Sequence, residues 1–172
     1  SVAATAHGLT GSSTNSDSVT IDGLANGTYY ATVTAHDAAG NSTVSACSTD
    51  TIEIDTTSPT DNTAALQFTA AYDNDGNNLA ITWTAFTDTN LSDHRLITYT
   101  NSGCSAGTTD HGLTSSSTNS NSLIVDGLAD GTYYATVTAY DSAGNSTVSA
   151  CSTDTIIIDK TNPTDNTAAL TF

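Results

Sequence analysis

"DGTYYATVTAYDSAGN", Asp130–Asn145, is the stretch whose reading decides the fold. Tyr133, Ala135, Val137 and Ala139 alternate with Tyr134, Thr136, Thr138 and Tyr140. A period of two in aromatic and β-branched residues marks a strand with one buried face. The first set is expected to point into a core and the second outward. "DSAGN" closes the strand with residues that tolerate turn geometry. The same wording stands at Asn26–Asn41 as "NGTYYATVTAHDAAGN".

That second occurrence belongs to a long repeat. Shifted by 104 positions, Ser1–Phe68 falls on Ser105–Phe172 without a gap, and 52 of the 68 positions are identical. Near-identity over such a length is the signature of a tandem array. The differences follow the pleat. His36 stands where the second copy has Tyr140, on the outer face. Glu53 matches Ile157, so that face is outward, while Ile52, Ile54, Ile156 and Ile158 point in. Gln67 and Thr171 differ between Leu66 and Phe68, and between Leu170 and Phe172.

Working outward gives a full module. Strands are expected near Thr63–Ala70, Asn78–Phe86, His94–Thr100, Thr108–Leu113, Ser122–Asp126, Thr132–Asp141 and Thr153–Asp159. Seven short strands separated by turn residues, with no helix signal, predict an all-β chain of tandem seven-stranded antiparallel β-sandwich modules. "DNDGNN" (Asp73–Asn78) and "LADG" (Leu128–Gly131) read as turns. The two prolines, Pro59 and Pro163, stand in "IDTTSPTDN" and "IDKTNPTDN", which read as linkers because proline lacks an amide donor. The expected division is a partial repeat holding only C-terminal strands at 1–58, a complete repeat at 59–162, and the first strand of a next repeat at 163–172. Tyr29, Val33, Ile52 and Ile54 would then face water in the partial repeat, whose isolated Ser1–Asp55 is expected not to fold.

Composition narrows the class of function. Two Lys+Arg stand against 18 Asp+Glu, a net charge of −16. Such a chain offers no footprint for nucleic acid and is repelled by anionic membrane. No apolar run reaches the roughly 18 residues that a membrane span needs. The abundance of Ser, Thr, Asn, Gly and Ala suits a secreted or cell-surface location.

The order of "ITWTAF" with Trp83, "HRLITYT" with Tyr99, "LADGTYYATVTAYDSAGN" and "TIIIDKTNP" resembles the fibronectin type III-like and bacterial Ig-like modules of long bacterial surface proteins. The resemblance covers Thr63–Pro163 and the tail of a module in Ser1–Pro59. It implies adjacent repeats of the same chain as the nearest partners and a spacer role in adhesion. Trp83, between Ile81 and Phe86, is expected in the core. The chain departs from antibody-type domains in lacking a cysteine pair on the second and sixth strands.

Cys47 and Cys151 are the same repeat position, and the counterpart of Cys104 falls just before Ser1. A Cys104–Cys151 bridge is expected, with Cys47 pairing to a cysteine upstream of the chain start. The alternatives are Cys47–Cys104 and free thiols. Closing a loop of that size stabilises by roughly 4 kcal/mol in the chain-entropy account. For carboxylates, Asp37, Asp55, Asp61, Asp73, Asp75, Asp141, Asp159 and Asp165 lie at strand ends or linkers. Oxygen ligands gathered at module ends suit Ca²⁺, the one candidate ion; turn formation and a solvated acidic surface are the other reading. Asp73-Asn-Asp-Gly is not an EF-hand, since its twelfth position is Thr84.

Catalysis finds no support: His7 and His111 repeat one "HGLT" loop, His36 lies on an exposed face, and His94 starts a strand. All read as loop or surface histidines, and no nucleophile or phosphate motif accompanies them. Sequons occur at Asn26, Asn41, Asn90 and Asn145. Three functions fit: a stiff spacer in adhesion, a building block of an extracellular filament, sheath or surface layer in contact with identical chains, and a glycan-binding accessory module using Tyr30, Tyr134 and Tyr140.

Overall fold

The computed structural model describes residues 18–62, 66–114 and 121–165. Every regular element among them is a strand. The chain divides into two units, Ser1–Thr56 and Thr57–Phe172.

In the first unit, β1 (Gly27–Tyr29) pairs antiparallel with β4 (Ile52–Ile54), and β2 (Thr34–His36) with β3 (Ser42–Val44). The stretch between β1 and β2 is not paired as a strand. Val33 and Ile52 are 68% and 57% exposed, and Tyr29 and Ile54 are half-buried. Tyr29 and Ile54 gain partial cover, but Val33 is exposed while the neighbouring Thr34 is half-buried, so burial does not alternate here and the apolar positions are largely open to water.

The second unit holds β5 (Gln67–Phe68), β6 (Tyr72–Asp73), β7 (Leu79–Thr82), β8 (Leu91–Tyr99), β9 (Thr109–Thr114), β10 (Ser122–Val125), β11 (Gly131–Asp141), β12 (Ser146–Val148) and β13 (Ile156–Ile158). One sheet runs β10-β7-β5 and the other β6-β13-β11-β8-β9, with β12 also on β11. Their apolar faces share one core. Leu79, Ile81, Trp83 and Val125 come from the first sheet or its ends, Leu96, Tyr133, Ala135, Val137, Ile156 and Ile158 from the second. This is a sandwich-like arrangement.

Strand β11 is central and continuous because β8 pairs with it from Tyr134↔Tyr99 to Asp141↔Leu91, while β13 and β12 share its other edge. Tyr133, Ala135, Val137 and Ala139 are buried, as the alternation predicts, and so is Trp83.

Four features differ from the expectations. The sheet is mixed, since β6 runs parallel to β13 through Ile157↔Tyr72 and Ile158↔Asp73. The outer-face Thr136 and Thr138 are buried as well. They are short side chains opposite Ile97 and Arg95, and Tyr99 reaches over Thr136 with its hydroxyl 3.3 Å away. Pro59 is buried, and Thr60 exchanges two backbone bonds with Thr87, so this stretch is part of the second unit rather than a free linker. His94 is a core residue, 1% exposed, with its ring 5.9 Å from that of Trp83 and 5.7 Å from that of Phe86.

Candidate functional site

The repeat builds the same local chemistry twice. Tyr29 donates to the Ala25 carbonyl at 2.8 Å, and Tyr133 to Ala129 at 3.1 Å. Ser45 and Ser48 accept from the amides of Val33 and Ala31; Ser149 and Ser152 do so from Val137 and Ala135. Pairing registers match too, Gly27↔Ile54 with Gly131↔Ile158 and Thr34↔Val44 with Thr138↔Val148.

Asp37 and Asp141 close equivalent loops. The Asp37 carboxylate accepts from the amides of Ala39 and Asn41 and from Asn41 Nδ2 at 2.7 Å. The Asn41 side chain and amide hold its carboxyl below the ordinary value of 3.8. Asp141 accepts from the Asn145 amide at 2.8 Å and Nδ2 at 2.7 Å. It is 3% exposed. Burial works to raise its carboxyl, but the donors from Asn145 together with the Ala143 and Gly144 amides outweigh burial and hold it below 3.8. The sequons at Asn41 and Asn145 therefore present side-chain nitrogens already bonded to a carboxylate.

A second group of carboxylates lies at one end of the second unit. Asp73 accepts from the amides of Asp75 and Gly76, which lower its pKa. Asp75 accepts from Asn77, and Asp159 from Thr161. The Asp159 amide bonds the Asp73 carbonyl, so "DNDGNN" and the chain after β13 meet. Gly76 has φ +70 and a Cβ there would lie 2.2 Å from the Leu128 carbonyl, which excludes other residues. Asp55 accepts from Asn26 Nδ2 at 3.3 Å, and Asp61 and Asp165 are exposed. The bonded oxygens of Asp73, Asp75 and Asp159 thus serve as turn acceptors.

Cys104 and Cys151 form a disulfide with Cα atoms 5.7 Å apart, within the usual span. Asn101 shapes the loop by accepting from the amides of Ser105 and Ala106. Gly107, at φ +64, lies so close to Thr100 that a Cβ would fall 1.9 Å from its hydroxyl. Cys47 is an exposed free thiol.

The one arginine meets Asp110 across the β8–β9 pair, with Arg95 Nε 3.1 Å from Asp110 Oδ1 and a second bond from its terminal nitrogen. Arg95 and then the Gly112 amide lower the Asp110 carboxyl to about 2. These residues line an open groove with Ser92, Asp93, Tyr140 and Asp141. Sequence reading missed this pair, although Arg95 and Asp110 lie on the strands expected at His94–Thr100 and Thr108–Leu113. His111 lies on β9 with Nε2 2.8 Å from Thr98 Oγ1. His36 is exposed on β2, and His7 lies outside the described residues. Tyr30 is 63% exposed, whereas Tyr134 and Tyr140 are half-buried.

No protein-family model matches the chain, and no curated protein matches it. What the fold and these features define is an all-β, sandwich-like unit cross-linked by a disulfide, which befits an oxidising compartment.

Proposed function

We propose that the chain is a structural tandem-repeat segment of a long secreted or cell-surface protein, with fibronectin type III-like or Ig-like modules acting as a stiff spacer in adhesion. The observation that carries this reading is the 104-residue repeat, which sets the same strand registers, serine bonds and Asp–Asn loop twice. An array needs many similar copies, whereas a binding or catalytic site needs one. The Tyr133 hydroxyl reaching back to Ala129 at the entry of β11 supports the module type, because Ig-like sandwiches place a tyrosine in this way before their sixth strand. The disulfide supports the extracellular location. The role is non-catalytic in this reading.

The test is geometric. Chains carrying two, four and six repeats should show a maximum dimension in small-angle scattering that grows linearly with repeat number. A dimension growing with the cube root of mass would overturn the spacer role. A filament block is the second reading, favoured by the exposed apolar face of the first unit. Lateral assembly of these same chains into fibres under electron microscopy would select it.

A further inference from the structure

Four observations on the first unit concern one object. Val33 is 68% exposed, while its repeat counterpart Val137 is 0% exposed under the β10-β7-β5 sheet. The stretch Gly131–Asp141 is one strand held along β8, whereas the counterpart is split into β1 and β2. Ser122–Val125 pairs with β7 as β10, whereas residues 18–21 form no strand and leave Val19 and Ile21 exposed. Cys151 is bonded to Cys104 in the loop after β8, whereas its counterpart Cys47 is free. Each difference is the loss of a contact with the segment from β5 to the Cys104 loop.

We propose that this face of the first unit is the seat of a preceding copy of that segment in the same polypeptide, with a cysteine that closes onto Cys47. The occupant is therefore a strand layer with the repeat's own sequence, contributed in the chain order seen in the second unit. There the covering strands β5, β7 and β8 precede β9–β13, so the connection is local. A second copy of the chain is the poorer donor. To lend its own layer it would open the Cys104–Cys151 bond and expose Ile81, Trp83 and Val137. The bond to Cys47 forms by oxidation of two thiols, with loss of two protons and two electrons to a disulfide oxidant of the exporting compartment. The inference rests on the repeat-array reading of the chain, but not on the array being stiff or adhesive.

The experiment joins the sequence of Thr57–Cys104 ahead of Ser1 and compares this extended chain with the 172-residue chain. Both are folded in a glutathione redox buffer. In the 172-residue chain Cys47 should alkylate, and the amides of Gly27–Ala35 should exchange rapidly. In the extended chain Cys47 should be found bonded to the added cysteine, with exchange of those amides slowed at least about a thousandfold, as for core strands. Replacing the added copies of Leu79, Ile81 and Trp83 by serine should restore rapid exchange. An unbonded Cys47 with unchanged exchange, while the second unit stays protected, overturns the proposal. So does an insoluble extended chain, because the added layer should remove Val33 and Ile52 from water. Protection that appears in the 172-residue chain only as its concentration rises, with Cys47 linked between copies, assigns the face to a second copy and overturns the stated source. A linear growth of array length with repeat number is measured separately, so failure of the spacer reading is distinguishable.

Discussion

Val33 and Val137 hold the same place in the repeat, within the same nine residues GTYYATVTA, yet Val33 is 68% exposed and Val137 fully buried. The local sequence is shared; what differs is that Val137 lies within β11, paired to β8 and under the facing sheet, whereas Val33 falls between β1 and β2. Burial of such a side chain is worth roughly 1.5–3 kcal/mol.

The first prediction follows from that contrast. Val137→Ala should lower the stability of the second unit by about 1–3 kcal/mol through lost burial and a residual cavity. Val33→Ala should fall within about 0.5 kcal/mol of the parent. Denaturant titration followed by Trp83 fluorescence for the second unit and by far-UV circular dichroism for the whole chain separates them. Equal effects would show that Val33 is packed in solution.

The disulfide gives the second. Reducing Cys104–Cys151, or replacing both by serine, should lower the midpoint of the Trp83 transition by the equivalent of about 2–4 kcal/mol. Cys47→Ser should leave that transition where it is. An unchanged midpoint after Cys104→Ser/Cys151→Ser would mean that the loop from Asn101 to Gly107 is held entirely by its own hydrogen bonds.

Asn145 supplies the third. Its Nδ2 bonds a carboxylate that is 3% exposed, whereas the same bond from Asn41 is in water. Asn145→Ala should cost the second unit about 1–2 kcal/mol, since it leaves a buried charged acceptor short of a donor. Asn41→Ala should have little effect on the overall melting curve. A host that glycosylates Asn145 should produce the same loss as the alanine variant.

Much of this was legible in the sequence where one strand carries the information. The alternation in Tyr133–Ala139, the turn at Asp73–Asn78 and the core place of Trp83 are local patterns, and the cysteine phase was enough to favour Cys104–Cys151. What failed depends on neighbours. A two-residue parallel bridge such as Tyr72–Asp73 on β13 has no period to read. Thr136 and Thr138 look outward in sequence and are buried only because Ile97, Arg95 and Tyr99 lie across from them. The Arg95–Asp110 pair needs the β8–β9 register, which no single strand encodes. Sequence could place Asp37 and Asp141 at turns but not show that each carboxylate accepts from the asparagine four residues on.

His94 supplies the last prediction, through pH. It sits between Trp83 and Phe86, and burial pushes its pKa below the ordinary 6.5, with Asp93 opposing weakly. The folded unit therefore takes up its proton at lower pH than the unfolded chain does. Stability from the neutral ring is fully present above about 6.5 and falls as pH drops from there toward the depressed folded value. His111, also lowered by burial against a smaller effect of Asp110, acts with the same sign. The carboxylates work in a separate window. Asp110 and Asp141, held below 3.8, contribute stability above that value and lose it only at lower pH. Denaturant midpoints measured from pH 8 to 4.5 should thus decline below about 6.5. His94→Phe should flatten part of that decline, and adding His111→Gln should remove most of the rest. An unchanged slope in the double variant would place the titrating groups elsewhere in the chain.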